Sequence, residues 1–157
     1  MDIRELSYGN YVQNSLGAIG TFRGLPEIRT DNGKTVLKVR LAYTRSQSET
    51  PPLDSYANLS PEEVLPVNLD EDILQAIGFQ KNGAFWDYDN REDTDDVIGF
   101  RLGQIANGFV LLCNFRTISV RHVHQLQNLM FQCGIKEPLE LPLDDHFHFK
   151  KNNTYDE

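Results

Sequence analysis

Apolar residues recur along this chain with two periods, and the change between them marks its organisation. Up to residue 44 the apolar runs are short and alternate with polar positions. Gly9-Asn10-Tyr11-Val12 and Gly17-Ala18-Ile19-Gly20-Thr21-Phe22 read as strands separated by turn residues. Asp31-Asn32-Gly33-Lys34 predicts a hairpin turn, because Asn-Gly accepts the positive φ angles of a type I′ turn. The segment 35–43 then reads as the returning strand, with Val36 or Leu37 followed by Val39, Leu41 and Tyr43 facing inward. Short strands this close together predict a small twisted sheet, or an SH3-like half-barrel.

Residues 45–58 interrupt the pattern with serines and paired prolines and read as a loop or linker. Ser60 before Pro61, Glu62 and Glu63 predicts one short helical turn. A helix is predicted over 70–79. Asp70, Glu71 and Asp72 lie at its positive end, Ile73, Leu74 and Ile77 form its apolar face, and Gly78 stops it. Four strand candidates follow at 84–88, 96–102, 108–113 and 117–120, separated by an acidic stretch and by turns at 104–108 and 114–116. The chain then changes to helical period at 121–134. Val123, Leu126, Leu129, Met130 and Cys133 fall on one face, and His122, Gln125, Gln127 and Asn128 on another. The predicted fold class is α+β: a small N-terminal β-unit (1–44), the linker (45–58), then helix, antiparallel sheet and C-terminal amphipathic helix (59–150). Residues 151–157 are expected to fray, and the whole is expected to form one compact domain.

Composition narrows the partners. The 157 residues are 39% apolar, enough for a core, and carry a net charge of −8. Such a balance repels a phosphate backbone and an anionic membrane, so direct nucleic-acid binding is not expected and a basic protein partner is favoured. No apolar run is long enough to span a membrane and no signal peptide is evident, which predicts a cytoplasmic protein. Cys113 and Cys133 both sit in apolar settings, which favours two buried thiols over a disulfide.

Three segments carry a family resemblance. They are Leu6-Ser7-Tyr8-Gly9-Asn10-Tyr11-Val12, the stretch from Leu65-Pro66-Val67 to Ile77-Gly78-Phe79, and Val120-Arg121-His122-Val123-His124-Gln125-Leu126-Gln127-Asn128-Leu129-Met130-Phe131. Together they resemble a family of small uncharacterised proteins of Bacteroides-type bacteria and their phages, which has a Val-His-Gln-Leu-Gln-Asn-Leu helix. The ending Gln132-Cys133-Gly134-Ile135 departs from that family's Thr-Gly-Glu. The resemblance implies a phage or mobile-element setting, with a bacterial cell as host, and no particular chemistry.

Candidate chemistry is sparse. All four histidines lie near the C-terminal end as two His-x-His pairs. On a strand, His146 and His148 would present both imidazoles on one face, a spacing that metal sites use; on a helix, His122 and His124 would diverge by about 200°. The acidic run holds Asp87, Asp89, Glu92, Asp93, Asp95 and Asp96; it lacks the glycine and distal glutamate of an EF-hand. It reads as a solvated loop, a surface for a basic partner, or a mimic of a nucleic-acid backbone. No nucleophile elbow, phosphate loop, dinucleotide fingerprint or zincin helix is present in the sequence.

The amides of Gln125, Gln127 and Asn128 offer donors and acceptors to a partner, or else tie the helix to its surroundings. Phe85 is expected in the core together with one neighbour. The leading expectation is a non-enzymatic module that binds a host or phage protein through the acidic run and the helix amides, with no cofactor. A second expectation is sequestration of a nucleotide signal, with Trp86, Tyr88, Arg101, Arg116 and Arg121 as pocket walls. A third is a metal-dependent enzyme using His146 and His148.

Overall fold

The computed structural model describes residues 1–44, 55–89, 99–113, 116–135 and 138–151. Most of the 45–58 linker, Glu92, Asp93, Asp95 and Asp96 of the acidic run, and the 152–157 tail lie outside the described residues. The fold is α+β: among the described residues, twelve strands form three antiparallel sheets, accompanied by two helices. The chain divides into two compact units. The first comprises Met1–Val67 and Pro142–Lys150, and the second comprises Asn68–Leu141 and resumes at Lys151. The division thus falls at 67/68 rather than in the predicted linker, and the residues before Lys151 return to the first unit.

In the first unit, strands β1 (Tyr11–Gln13), β2 (Ile19–Phe22), β5 (Val39–Ala42), β6 (Tyr56–Leu59) and β7 (Leu65–Pro66) form an open sheet in the order β6-β5-β2-β1-β7. Strand β2 is shorter than predicted because Asn14 claims the preceding residues: its Oδ1 accepts from the amides of Leu16 and Ala18 at 2.9 and 3.0 Å. All four residues of β2 are buried. Gly20 allows this, since a Cβ there would stand 2.9 Å from the Ala42 carbonyl oxygen and 3.3 Å from the Tyr43 ring. Val12, Phe22, Val39, Leu41 and Val64 form the core.

The predicted returning strand 35–43 is two strands. β4 (Thr35–Leu37) pairs with β3 (Glu27–Arg29) as a separate hairpin, and β5 joins the main sheet. The hairpin turn also differs from type I′. Only Gly33 takes positive φ (+75°), and the Thr30 amide bonds the Lys34 carbonyl at 2.8 Å, giving a three-residue loop closed by left-handed glycine. The returning segment forms a tight turn. Leu143 bridges Phe149, the Ile19 amide donates to the Phe147 carbonyl at 2.7 Å, and the Phe147 and Tyr43 rings lie 5.5 Å apart.

The second unit opens with α1 (Glu71–Ala76). The Asp70 carboxylate caps it by accepting from the Ile73 amide at 2.9 Å, and Gly78 at φ +107° ends it. A five-stranded meander follows: β8 (Gln80–Asn82), β9 (Phe85–Asp89), β10 (Gly99–Ile105), β11 (Gly108–Cys113) and β12 (Arg116–Val120). β8 has no apolar alternation to reveal it; Gly83 at φ +64° turns Gln80-Lys81-Asn82 onto β9. Ile105 pairs with Gly108, so the β10–β11 turn is only two residues and Gln104 belongs to the strand. Helix α2 (Val123–Gln132) buries Val123, His124, Leu126 and Met130, ending before Gly134 at φ +91°. Of the predicted apolar stripe Val123, Leu126 and Met130 are buried, Leu129 and Cys133 are half-buried, and His124 joins the buried side.

Candidate functional site

Cross-strand register sorts the second unit's sheet into two faces, since directly opposed residues project to the same side. Trp86, Leu102, Leu111 and Ile118 align across four strands, as do Phe109 and Val120. Except for Ile118, 38% exposed on the edge strand, these residues are buried. The neighbouring positions, Phe85, Gly103, Val110 and Ser119, align on the opposite face, with Asp87 opposite Arg101. That face is open: Phe85 is 44% exposed and Ile105 45%. Phe85 is therefore outside the core, where it was expected, and its neighbour Trp86, at 4%, is inside. Alternation fixes that one of the two is buried; the register with Leu102 decides which.

The open face has a built centre. Arg101 donates to Asp87 through Nε at 2.6 Å and Nη2 at 2.9 Å, and its guanidinium carbon lies 4.8 Å from the centre of the Phe85 ring. The guanidinium holds the Asp87 carboxyl below the usual carboxylate range. Gly103 leaves a shallow place between Phe85 and Val110, where a Cβ would come 3.8 and 3.4 Å from those side chains. The result is an apolar strip, Phe85, Val110 and Ile105, beside a neutralised ion pair.

A second concave feature lies between α1 and the β8–β9 hairpin, a cleft of about 600 Å³ lined by Glu71, Asp72, Gln75, Phe79, Lys81 and Trp86. The Trp86 indole donates to Gln104 at 3.1 Å, and the Gln104 amide donates to Glu71. Lys81 is 3.5 Å from the same Glu71 oxygen, and Lys151 is 3.3 Å from Asp72. Two carboxylates and two ammonium groups thus balance. Glu71, Lys81 and Gln104 were not singled out from the sequence. Ordinary surface residues on a helix and two strands carry no local sign that they converge.

The predicted ligand walls do not meet. Trp86 lines the cleft, while Tyr88 packs on Phe79 at 5.3 Å between ring centres. Arg101 is on the opposite face, held by Asp87. Arg116 begins β12 and Arg121 follows its end, both exposed. Of the predicted contact residues, Asp87 is committed to Arg101, and Asp89 pairs in register with Gly99. Gln125 turns back on its own helix start: Oε1 accepts from the amides of Arg121 at 2.9 Å and His122 at 3.2 Å. Gln127 and Asn128 are half-buried.

The histidine pairs are also placed differently from their predicted geometry. His146-Phe147-His148 is not an alternating strand but a turn, with Phe147 at φ +62°. Asp144 Oδ1 organises it by accepting from the amides of His146 at 2.8 Å and His148 at 3.0 Å, and these bonds lower the Asp144 pKa. His122 is extended (φ −127°, ψ 151°), so the helical divergence from His124 does not apply, and the two rings stack with centres 5.7 Å apart. Among the described residues no group of three or more His, Cys, Asp or Glu side chains is placed to hold a metal ion. Cys133 is half-buried, and no described helix is long and apolar enough to cross a membrane. Comparison with protein-family models, with curated proteins and with solved structures finds no match to this chain.

Proposed function

We infer that this chain is a non-enzymatic interaction module that binds a protein through the open face of its second sheet. The observation that supports the reading is the strip Phe85–Val110–Ile105, with Phe85 and Ile105 exposed and Val110 half-buried on a five-stranded meander, flanked by Arg101 and Asp87. Exposed aromatic and aliphatic side chains beside an arginine are the composition of a binding hot spot. The net charge of −8 favours a basic partner by long-range attraction. A phage or mobile-element origin rests on the sequence resemblance alone. The nucleotide-sequestering alternative draws less support, because the arginines it needs stand on different faces.

A photo-crosslinking amino acid at position 85, with a second variant carrying it at position 36 on the β3–β4 hairpin, tests the reading in extract of the source cell. One discrete adduct is expected from position 85 and none from position 36, and Ile105→Ser should weaken its formation at least fivefold. A nucleotide or metal released from the purified chain in native mass spectrometry, with no adduct from position 85, would sink the reading.

A further inference from the structure

Strand β12 is an edge of the second unit's sheet, and its backbone is directed outward at alternate residues. Two bonds fix which ones. Leu69 donates to the Arg121 carbonyl at 2.9 Å and the Arg121 amide donates to Gln125, so Arg121 points away from β11. Two-residue periodicity then directs Ser119 and Thr117 outward, while Ile118 and Val120 bond to β11. The described residues supply no hydrogen bond to the outward groups of Ser119 and Thr117, and residues 116–119 are exposed. The chain begins a sixth strand here and abandons it: Asn68 bridges His122, Leu69 lies against Arg121, and Asp70 turns the backbone into α1.

Such an edge is usually blunted by an interior charge, a proline or a bulge. β7 contains Pro66, β8 carries Lys81 at its centre, and β6 runs into Pro61. Thr117-Ile118-Ser119 has none of these protections. Its charges stand at the ends instead. Arg116 starts the strand and Arg121 follows it, and among the described residues no carboxylate forms an ion pair with either guanidinium.

We propose that the outer edge of β12 accepts an extended acidic peptide as an added strand, with Thr117 and Ser119 supplying the backbone bonds and Arg116 and Arg121 selecting acidic side chains. The arginines also argue against a second copy of this chain as occupant. Antiparallel pairing of Thr117 with Ser119 of another copy would set Arg116 of each copy opposite Val120 of the other, so neither Arg116 would meet a carboxylate. The overall charge of −8 opposes an acidic ligand at a distance but is screened beyond roughly 8 Å at physiological salt, whereas the arginines touch the edge itself. This surface is distinct from the Phe85 face, and the inference stands or falls separately from the function proposed above.

The probe is a blocked octapeptide with paired Glu at each end of a Val core, added to the full chain, with a Lys-Val octapeptide of the same pattern as control. Binding of the Glu-Val peptide is expected to slow amide hydrogen exchange at Thr117 and Ser119 at least tenfold. Ser119→Pro, which removes an outward amide and leaves the bonds to β11, should abolish binding, and Arg116→Glu should weaken it about tenfold. If Ser119→Pro does not fold, Arg116→Glu and the Lys-Val control decide. Phe85→Ser should leave the affinity unchanged, which separates this edge from the open face. No change in exchange, equal binding of the Lys-Val peptide, or a concentration-dependent dimer that Arg116→Glu strengthens would each overturn the proposal.

Discussion

Individual side chains set two measurable properties. Asp2 caps the N-terminal turn at Ile3–Glu5 and accepts from Arg4, whose side-chain bonds lead the causes that lower its pKa from 3.8 to about 2. The fold therefore favours the ionised form. Its contribution is present above the unfolded value and disappears as pH falls through the folded one. Following the Asp2 carboxyl carbon by NMR should give a midpoint near 2, and Arg4→Ala should return it toward 3.8. A midpoint already at the ordinary value in the parent chain would show that the pair does not form in solution. Gly20 acts through steric space rather than charge. With the Ala42 carbonyl 2.9 Å from the site of a Cβ, Gly20→Ala must displace backbone inside a fully buried strand. A loss of about 1–3 kcal/mol in chemical denaturation is expected, the range for overpacking a core. A neutral result would mean that β2 and β5 separate more easily than their pairing implies.

Secondary-structure elements show what was legible in the sequence and why the rest was not. The C-terminal helix was legible because Val123, Leu126 and Met130 repeat at its period and Gly134 stops it; α1 was legible from Asp70 and Gly78. β8 was not, since Gln-Lys-Asn becomes a strand only through the Gly83 turn. The break between β4 and β5 was hidden because one alternating run feeds two sheets, and alternation does not say which neighbour a strand will pair with. The open-face strip was half-visible: the pattern flagged Phe85 and Trp86 together, but only the register with Gly103 and Leu102 separates exposed from buried. The bonds by which Gln125 closes its own first turn are not legible, because a polar helical face looks the same in sequence whether it meets a partner or caps itself. Gln125→Ala should cost about 0.5–2 kcal/mol in thermal or denaturant unfolding, the range of a lost N-terminal cap, and leave formation of the position-85 adduct unchanged. Asp70→Ala should cost about as much. An unaltered stability for Gln125→Ala, with loss of the adduct, would restore the residue to the partner surface.

At the scale of the whole chain, the first unit is built from two segments far apart in sequence, Met1–Val67 and Pro142–Lys150, and the second chiefly from the stretch between them. The two should respond differently to the same deletion. Ending the chain at Leu141 removes the Ile19–Phe147 hydrogen bond and the Tyr43–Phe147 ring contact. Amide exchange at Val12 and Thr21 should then quicken by at least tenfold while Leu102 and Leu111 stay protected. Equal retention of protection in both units would show that the returning turn adds nothing. The protein's one tryptophan, Trp86, lies in the second unit and should keep its emission spectrum in the shortened chain. The same arrangement sets an order of events during synthesis. The strands of the first unit leave the ribosome early but wait for the final turn until residues 68–141 have been made, a delay of roughly 4–15 s at ordinary elongation rates. The first unit is thus closed only after residues 68–141 of the second have been made, and its half-finished sheet is the species a nascent-chain chaperone would meet.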